Sequence, residues 1–91
     1  MKHYVYILQC RDGSLYTGWT LDLQKRLAQH NQGSGAKYTR SRGPVALIHW
    51  EEYETKEEAL RREIQIKKLT REKKIALISH GAFTSSGQTE R

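Results

Sequence analysis

The stretch YVYILQCRDGSLYTGWT, residues 4–20, is where the fold begins to declare itself. Two β-prone runs, His3 to Cys10 and Leu15 to Trp19, flank a short polar segment that contains Asp12-Gly13. An Asp-Gly pair between such runs is a strong hairpin signal. The length of the turn then decides what the tyrosines can do. A two-residue Asp12-Gly13 turn places Tyr6 and Tyr16 on opposite faces of the hairpin. A three-residue loop Asp12-Gly13-Ser14 with a glycine bulge shifts the register by one, and Tyr6, Tyr16, Gly18 and Leu8 then share a face. Both registers suit the sequence, and only the second can build a common site. In the first, the tyrosines are there because tyrosine packs well on a half-buried strand.

Working outward, Thr20 is placed to cap a helix over LDLQKRLAQHN, with Asp22 in its first turn, Leu23 and Leu27 as its core stripe and Gly33 as a stop. Residues 32–44 hold glycines and the only proline and read as a loop, whose cations make it a candidate contact surface. VALIHWEEY, residues 45–53, alternates Val45, Leu47 and His49 against Ala46, Ile48 and Trp50, as a central or well-covered strand would. Thr55 with Glu58 forms a capping box for a helix to about Leu69, and Thr70 caps a last helix that Gly81 stops. The order ββαβαα is that of one α+β domain over residues 1–80, followed by a polar tail, 81–91, expected to be disordered.

The chain's 91 residues suffice for one modest core. Its net charge of +6 favours a polyanionic partner, nucleic acid before membrane. No apolar run approaches the ~18–20 residues that span a bilayer. The single cysteine, Cys10, precludes an internal disulfide and fits a buried strand position in a cytoplasmic protein. His3, His49 and His80 have no ligand spacing with one another or with Cys10, which argues against a structural zinc site. Neither a phosphate-loop motif nor a Gly-x-Ser-x-Gly elbow occurs.

Two sets of polar residues sit awkwardly in so small a core. In the second helix Ala59, Leu60, Ile64, Ile66 and Leu69 define one broad apolar face, and Glu63 falls within roughly 25° of its middle. A carboxylate there needs a cation, hydrogen bonds or a metal. An internal pair with Lys67 or with an arginine is the plain structural explanation. Arg26 and His30, spaced i, i+4, flank the Leu23–Leu27 stripe and project together from its edge. Polar pairs in that position commonly reach into solvent.

Tyr4-Val5-Tyr6, then Tyr16-Thr17-Gly18, then Arg26 and His30 on one helix and Glu63 on a later one resemble the GIY-YIG nuclease superfamily. The likeness is greatest to its small single-domain bacterial members, and includes DGSLYTG, HNQGSGAKYTRSR and REIQIKKL from Met1 through about Ile78. The first motif carries Tyr4 and Val5 in place of Gly-Ile, and the second has Thr17 in place of isoleucine. Many members place an asparagine after the metal-binding acid, whereas the only asparagine here is Asn31.

The resemblance implies a three-stranded antiparallel sheet flanked by helices and a metal-dependent endonuclease that hydrolyses or nicks DNA. A nucleic-acid-binding module with little or no cleavage is the alternative. By the same likeness Tyr6, Tyr16, Arg26, His30 and Glu63 are catalytic, Gly18 is a structural position of the motif, and Glu63 binds Mg²⁺ or Mn²⁺. Arg26 suits a phosphate oxygen. Tyr6 and Tyr16 are jointly expected to accept a proton from water with a lowered pKa, His30 acting as assistant or shuttle. Lys37, Tyr38, Arg40, Arg42, Lys67 and Lys68 are the expected nucleic-acid contacts, DNA ahead of RNA, with no membrane and no disulfide-linked partner.

Overall fold

A computed structural model describes residues 2–32 and 43–79. The loop cations Lys37, Tyr38 with them, Arg40 and Arg42, and the expected tail 81–91, lie outside the described residues. The elements run β1 (His3–Gln9), β2 (Leu15–Thr20), α1 (Leu23–Asn31), β3 (Ala46–Tyr53), α2 (Lys56–Lys67) and α3 (Arg71–Ser79). The strands form one antiparallel sheet in the order β2-β1-β3. The central strand is therefore β1, whose Val5, Tyr6, Ile7 and Leu8 are all buried. β3 is an edge strand covered on its faces rather than a central one.

The hairpin has a three-residue loop, set one residue earlier than the expected Asp12-Gly13-Ser14 because Ser14 pairs with Cys10. Cys10 N–H donates to the Ser14 carbonyl at 2.8 Å and Gly13 N–H to the Cys10 carbonyl at 2.9 Å, which leaves Arg11, Asp12 and Gly13 as the loop. Gly13 has φ +87°, the left-handed conformation that ends such a loop and that side chains disfavour. Asp12 Oδ1 accepts from the Ser14 N–H at 3.0 Å and from its hydroxyl at 2.6 Å, which stiffens the turn. The resulting register pairs Tyr6 with Gly18 and Leu8 with Tyr16, so these four residues face the same way.

Each face of the sheet has its own core. Tyr6, Leu8, Cys10 and Val45 pack with Tyr16, Leu23, Leu27, Leu47 and Trp50 on the α1 side. Val5 and Ile7 pack with Ala59 and Ile66 of α2 on the other. Full burial of Ile66 contributes about 1.5–3 kcal/mol to holding α2 on the sheet. The alternation read from residues 45–53 breaks between Ile7 and Leu8 of β1, which pair with His49 and Leu47, leaving Ile48 as an extra residue. This bulge puts Val45, Leu47 and Trp50 on the α1 side, and carries His49 and Glu51 to the α2 side opposite Ile7 and Val5.

The caps differ from expectation at one helix. Asp22, not Thr20, is the N-cap of α1 and accepts from the Lys25 N–H at 3.0 Å; Thr20 ends β2. The Thr55–Glu58 capping box of α2 forms as expected, and Thr70 Oγ1 accepts from the Lys73 N–H at 3.2 Å at the start of α3. On α2, Ile64 is 54% exposed. The buried line of the helix is Ala59–Ile66, and Glu63 lies about 50° to one side of it.

Candidate active site

Four of the five expected catalytic side chains meet on the α1 side. Tyr6 is 2% exposed and His30 1%, so His30 is enclosed rather than turned to solvent. The Tyr6 hydroxyl lies 3.1 Å from His30 Nε2 and receives the Arg26 Nε–H at 3.4 Å. With Arg26 donating to it, the phenol oxygen can still donate its own proton to His30 Nε2 or accept from it, according to the imidazole tautomer. Tyr16 closes the group, its ring centroid 5.3 Å from His30 and 6.4 Å from Tyr6.

Gly18 makes this convergence sterically possible. An alanine Cβ built there would sit 2.6 Å from the Tyr6 oxygen, 2.9 Å from its Cζ and 3.2 Å from Cε2 of Tyr16. The absence of a side chain on β2 is thus what lets the buried Tyr6 ring lie across the sheet to reach α1.

Electrostatics correct one expectation. Burial raises the Tyr6 pKa above its ordinary value; the Arg26 hydrogen bond opposes this, and the neighbouring Tyr16 and Glu63 add to the rise. Tyr6 is held as a phenol rather than with a lowered pKa. Burial, helped by the Arg26 charge, lowers the His30 pKa below 6.5 and keeps the imidazole neutral at neutral pH, ready to accept. Arg26 is braced by donating to Gln29 Oε1 at 3.0 Å, and the rest of its fork is unused among the described residues. It borders an open groove whose other walls include Trp19, Thr20, Asp22, Lys25 and Gln29.

Glu63 arrives from elsewhere. Its helix, α2, packs on the opposite face of the sheet, so the five residues do not all rise from one face. By helical geometry Glu63 stands on the flank of α2 away from Arg62, and its charge acts on Tyr6. Lys67 Nζ stands 3.3 Å from its carboxylate, the plain pairing that the sequence allows. The Lys67 side chain is 54% exposed and that of Glu63 16%, and solvent on the lysine side screens the pair, exposed i, i+4 pairs being worth about 0.3–0.5 kcal/mol. Lys68 is exposed at the C-cap of α2.

Among the described residues no three His, Cys, Asp or Glu side chains group to hold a metal ion. Glu63 is the one carboxylate among the expected site residues, and a lone carboxylate suits a hard, largely hydrated ion rather than one caged by the protein. Asn31 takes no part: its side chain accepts the Val45 N–H at 2.6 Å and donates to the Val45 carbonyl at 3.3 Å, pinning the entry of β3 to the end of α1.

The sequence matches the GIY-YIG catalytic domain over residues 2–76. The chain belongs to the GIY-YIG family. Its curated relatives include a UPF0213 protein of Staphylococcus saprophyticus, 56% identical over 88% of this chain and 98% of that protein. Another, from Clostridium perfringens, is 62% identical over 85% of this chain and 83% of that one. A solution NMR structure of a UPF0213 protein from Bacillus halodurans superposes with a TM-score of 0.59 at 52% identity, covering 88% of this chain and 85% of that chain. A solution NMR structure of a protein from E. faecalis gives 0.61 at 46% identity with the same coverage. In this GIY-YIG chain the first-motif tyrosine, the second-motif tyrosine and glycine, and the helix pair Arg26–His30 are one contact group.

Sequence reasoning missed a second polar cluster. Glu51, 2% exposed, receives Arg62 Nε at 2.8 Å and Nη2 at 3.1 Å, the Tyr53 hydroxyl at 2.5 Å, and lies 2.9 Å from His49 Nε2. His49, Glu51 and Tyr53 are spaced i, i+2, i+4, the period of one strand face, which is the signal that would have found it.

Proposed function

We propose that this chain is a divalent-metal-dependent endonuclease that hydrolyses phosphodiester bonds of DNA. The observation that carries the reading is the Arg26–Tyr6–His30 chain, a buried proton route ending on a neutral imidazole beside an arginine with N–H groups to spare. Arg26 would bind a phosphate oxygen, where its charge counts most as negative charge builds on the phosphoryl oxygens. Tyr6 would take the proton of the attacking water on its oxygen as it passes its own proton to His30 Nε2. Tyr16 borders the same space and would position water or phosphate. Glu63 would hold a Mg²⁺ or Mn²⁺ ion, which supplies charge neutralisation at the phosphate when bound. Lys68, and Lys67 once released from Glu63, would contact the nucleic-acid backbone, as would Lys37, Tyr38, Arg40 and Arg42.

The test is cleavage of supercoiled plasmid and of branched or single-stranded oligonucleotides with Mg²⁺, Mn²⁺ or chelator, comparing the native chain with Glu63→Gln. Metal-dependent nicking by the native chain that falls at least ~100-fold in the variant, with salt-sensitive binding kept, is the expected result. Equal binding by both with cleavage by neither would make the chain a binding module.

The proton route also predicts a pH profile. Protonated His30 cannot accept from Tyr6, so kcat should fall as pH drops through the His30 pKa, which burial places below 6.5. The imidazole's titration by NMR and the acid limb of the rate should coincide. An acid limb that survives in His30→Gln would remove His30 from the route.

A further inference from the structure

We infer that the buried Glu51–Arg62 pair sets the roll of α2 on the sheet and thereby aims Glu63 at the tyrosine site; the inference rests on the ion-holding role proposed for Glu63. On α2, Arg62 and Glu63 stand about 50° to either side of the buried Ala59–Ile66 line. Arg62 leans to β3, where Glu51 waits, and Glu63 stands on the opposite flank of the helix. Neither Glu51 nor Arg62 contacts Tyr6 or Tyr16. They are positioning residues, acting through the rigid helix.

Of the fully buried residues in this core α2 contributes only Ala59 and Ile66, with Leu15, Trp19, Ile48, Tyr53, Leu77 and Ile78 packed around it, and hydrophobic burial by itself has no direction. A fork-to-carboxylate pair does have direction, because both oxygens must meet two particular N–H groups. Here the carboxylate cannot move to follow a rolling arginine, since His49 and Tyr53 of the same strand hold the same two oxygens at 2.9 and 2.5 Å. A roll of about 20° would swing an atom at the ~6 Å outer radius of the helix by about 2 Å. Misplacements of that size, ~1 Å or more, cost a constellation of this kind on the order of 100-fold. For stability alone, apolar residues of similar volume would serve as well as a buried ion pair. The directional constraint is what the pair adds.

The test uses the full chain with the size-matched double substitution Glu51→Gln/Arg62→Met, which removes both charges together. Mn²⁺ is the probe, read as paramagnetic broadening of the Tyr16, Gly18 and Glu63 amide resonances, alongside methyl NOEs from Ile66 and Ala59 to Val5 and Ile7. The expected result is a folded variant with an altered NOE pattern that needs at least tenfold more Mn²⁺ for the same broadening. Unchanged NOEs with Mn²⁺ affinity within twofold of native would overturn the inference. Should the double variant fail to fold, Arg62→Lys, which keeps the charge and loses the fork, must still weaken Mn²⁺ binding severalfold, and native affinity there would overturn it equally. A native chain that binds no Mn²⁺ would defeat the ion-holding role of Glu63, and the roll would then stand or fall on the NOEs alone.

Discussion

Gly18→Ala should reduce cleavage by on the order of 100-fold or more and lower stability by about 1–3 kcal/mol. The added methyl would stand 2.6 Å from the Tyr6 oxygen and 2.9 Å from Cζ, distances at which one group must give way. Tyr6 cannot yield cheaply, because its ring is buried among Leu8, Leu23, Leu27 and Leu47 and its hydroxyl is held by His30 and Arg26. Nor can β2 retreat without giving up the ladder to β1. The outcome is a displaced Tyr6 hydroxyl and a broken link to His30. A crystal structure or the His30 imidazole shift in NMR would show the displacement directly, and the kinetic loss should fall mainly on kcat. A Gly18→Ala chain with native kcat would mean that the Tyr6–His30 contact does not serve the chemistry.

How far the sequence disclosed this site depends on which local rule governs each part. Arg26 and His30 were legible because a helix face repeats at i, i+4 and Leu23 and Leu27 mark which way is inward. The alignment of Tyr6 with Tyr16 was not, since Asp12-Gly13 satisfies both a two-residue and a three-residue turn, and the choice rests on hydrogen bonds between Cys10, Gly13 and Ser14 that no propensity encodes. His30 burial was also hidden: a histidine at a helix edge reads as solvated until Tyr6 and Tyr16 are known to cover it. On α2, averaging every apolar residue drew the face toward Ile64, which is exposed, and away from Arg62, whose side chain is drawn inward by Glu51. Glu51 itself escaped notice because the bulge at Ile48 breaks the alternation from which a strand's inner face is read. Tertiary partners thus decided the places where sequence rules were ambiguous.

Acid should expose Glu51 as a principal electrostatic anchor of the fold. Burial alone would raise its pKa, and the hydrogen bonds from His49, Arg62 and Tyr53 outweigh that to bring it from 4.5 down to about 2. Because the folded-state pKa lies below the unfolded one, the native state binds fewer protons between them. The stabilisation is complete above pH 4.5 and is lost as pH falls toward 2. A displacement of that size corresponds to about 3 kcal/mol, a large share of the roughly 5–15 kcal/mol that holds a small domain together. Urea unfolding followed from pH 6 to pH 2 should therefore show a steep loss in the native chain that is much shallower in Glu51→Gln. At pH 7, breaking the pair from the carboxylate side with Glu51→Ala should cost about 3–5 kcal/mol, since it removes the carboxylate to which the Arg62 guanidinium donates twice. Arg62 is partly exposed and can recover some hydration, which places the expectation at the lower end of that range. If the native and Glu51→Gln chains lost stability in parallel with acid, the low pKa would belong to other carboxylates and Glu51 would be no anchor. A steep native slope that flattens in the variant would instead tie the stability of the sheet–helix packing to the same carboxylate that orients α2.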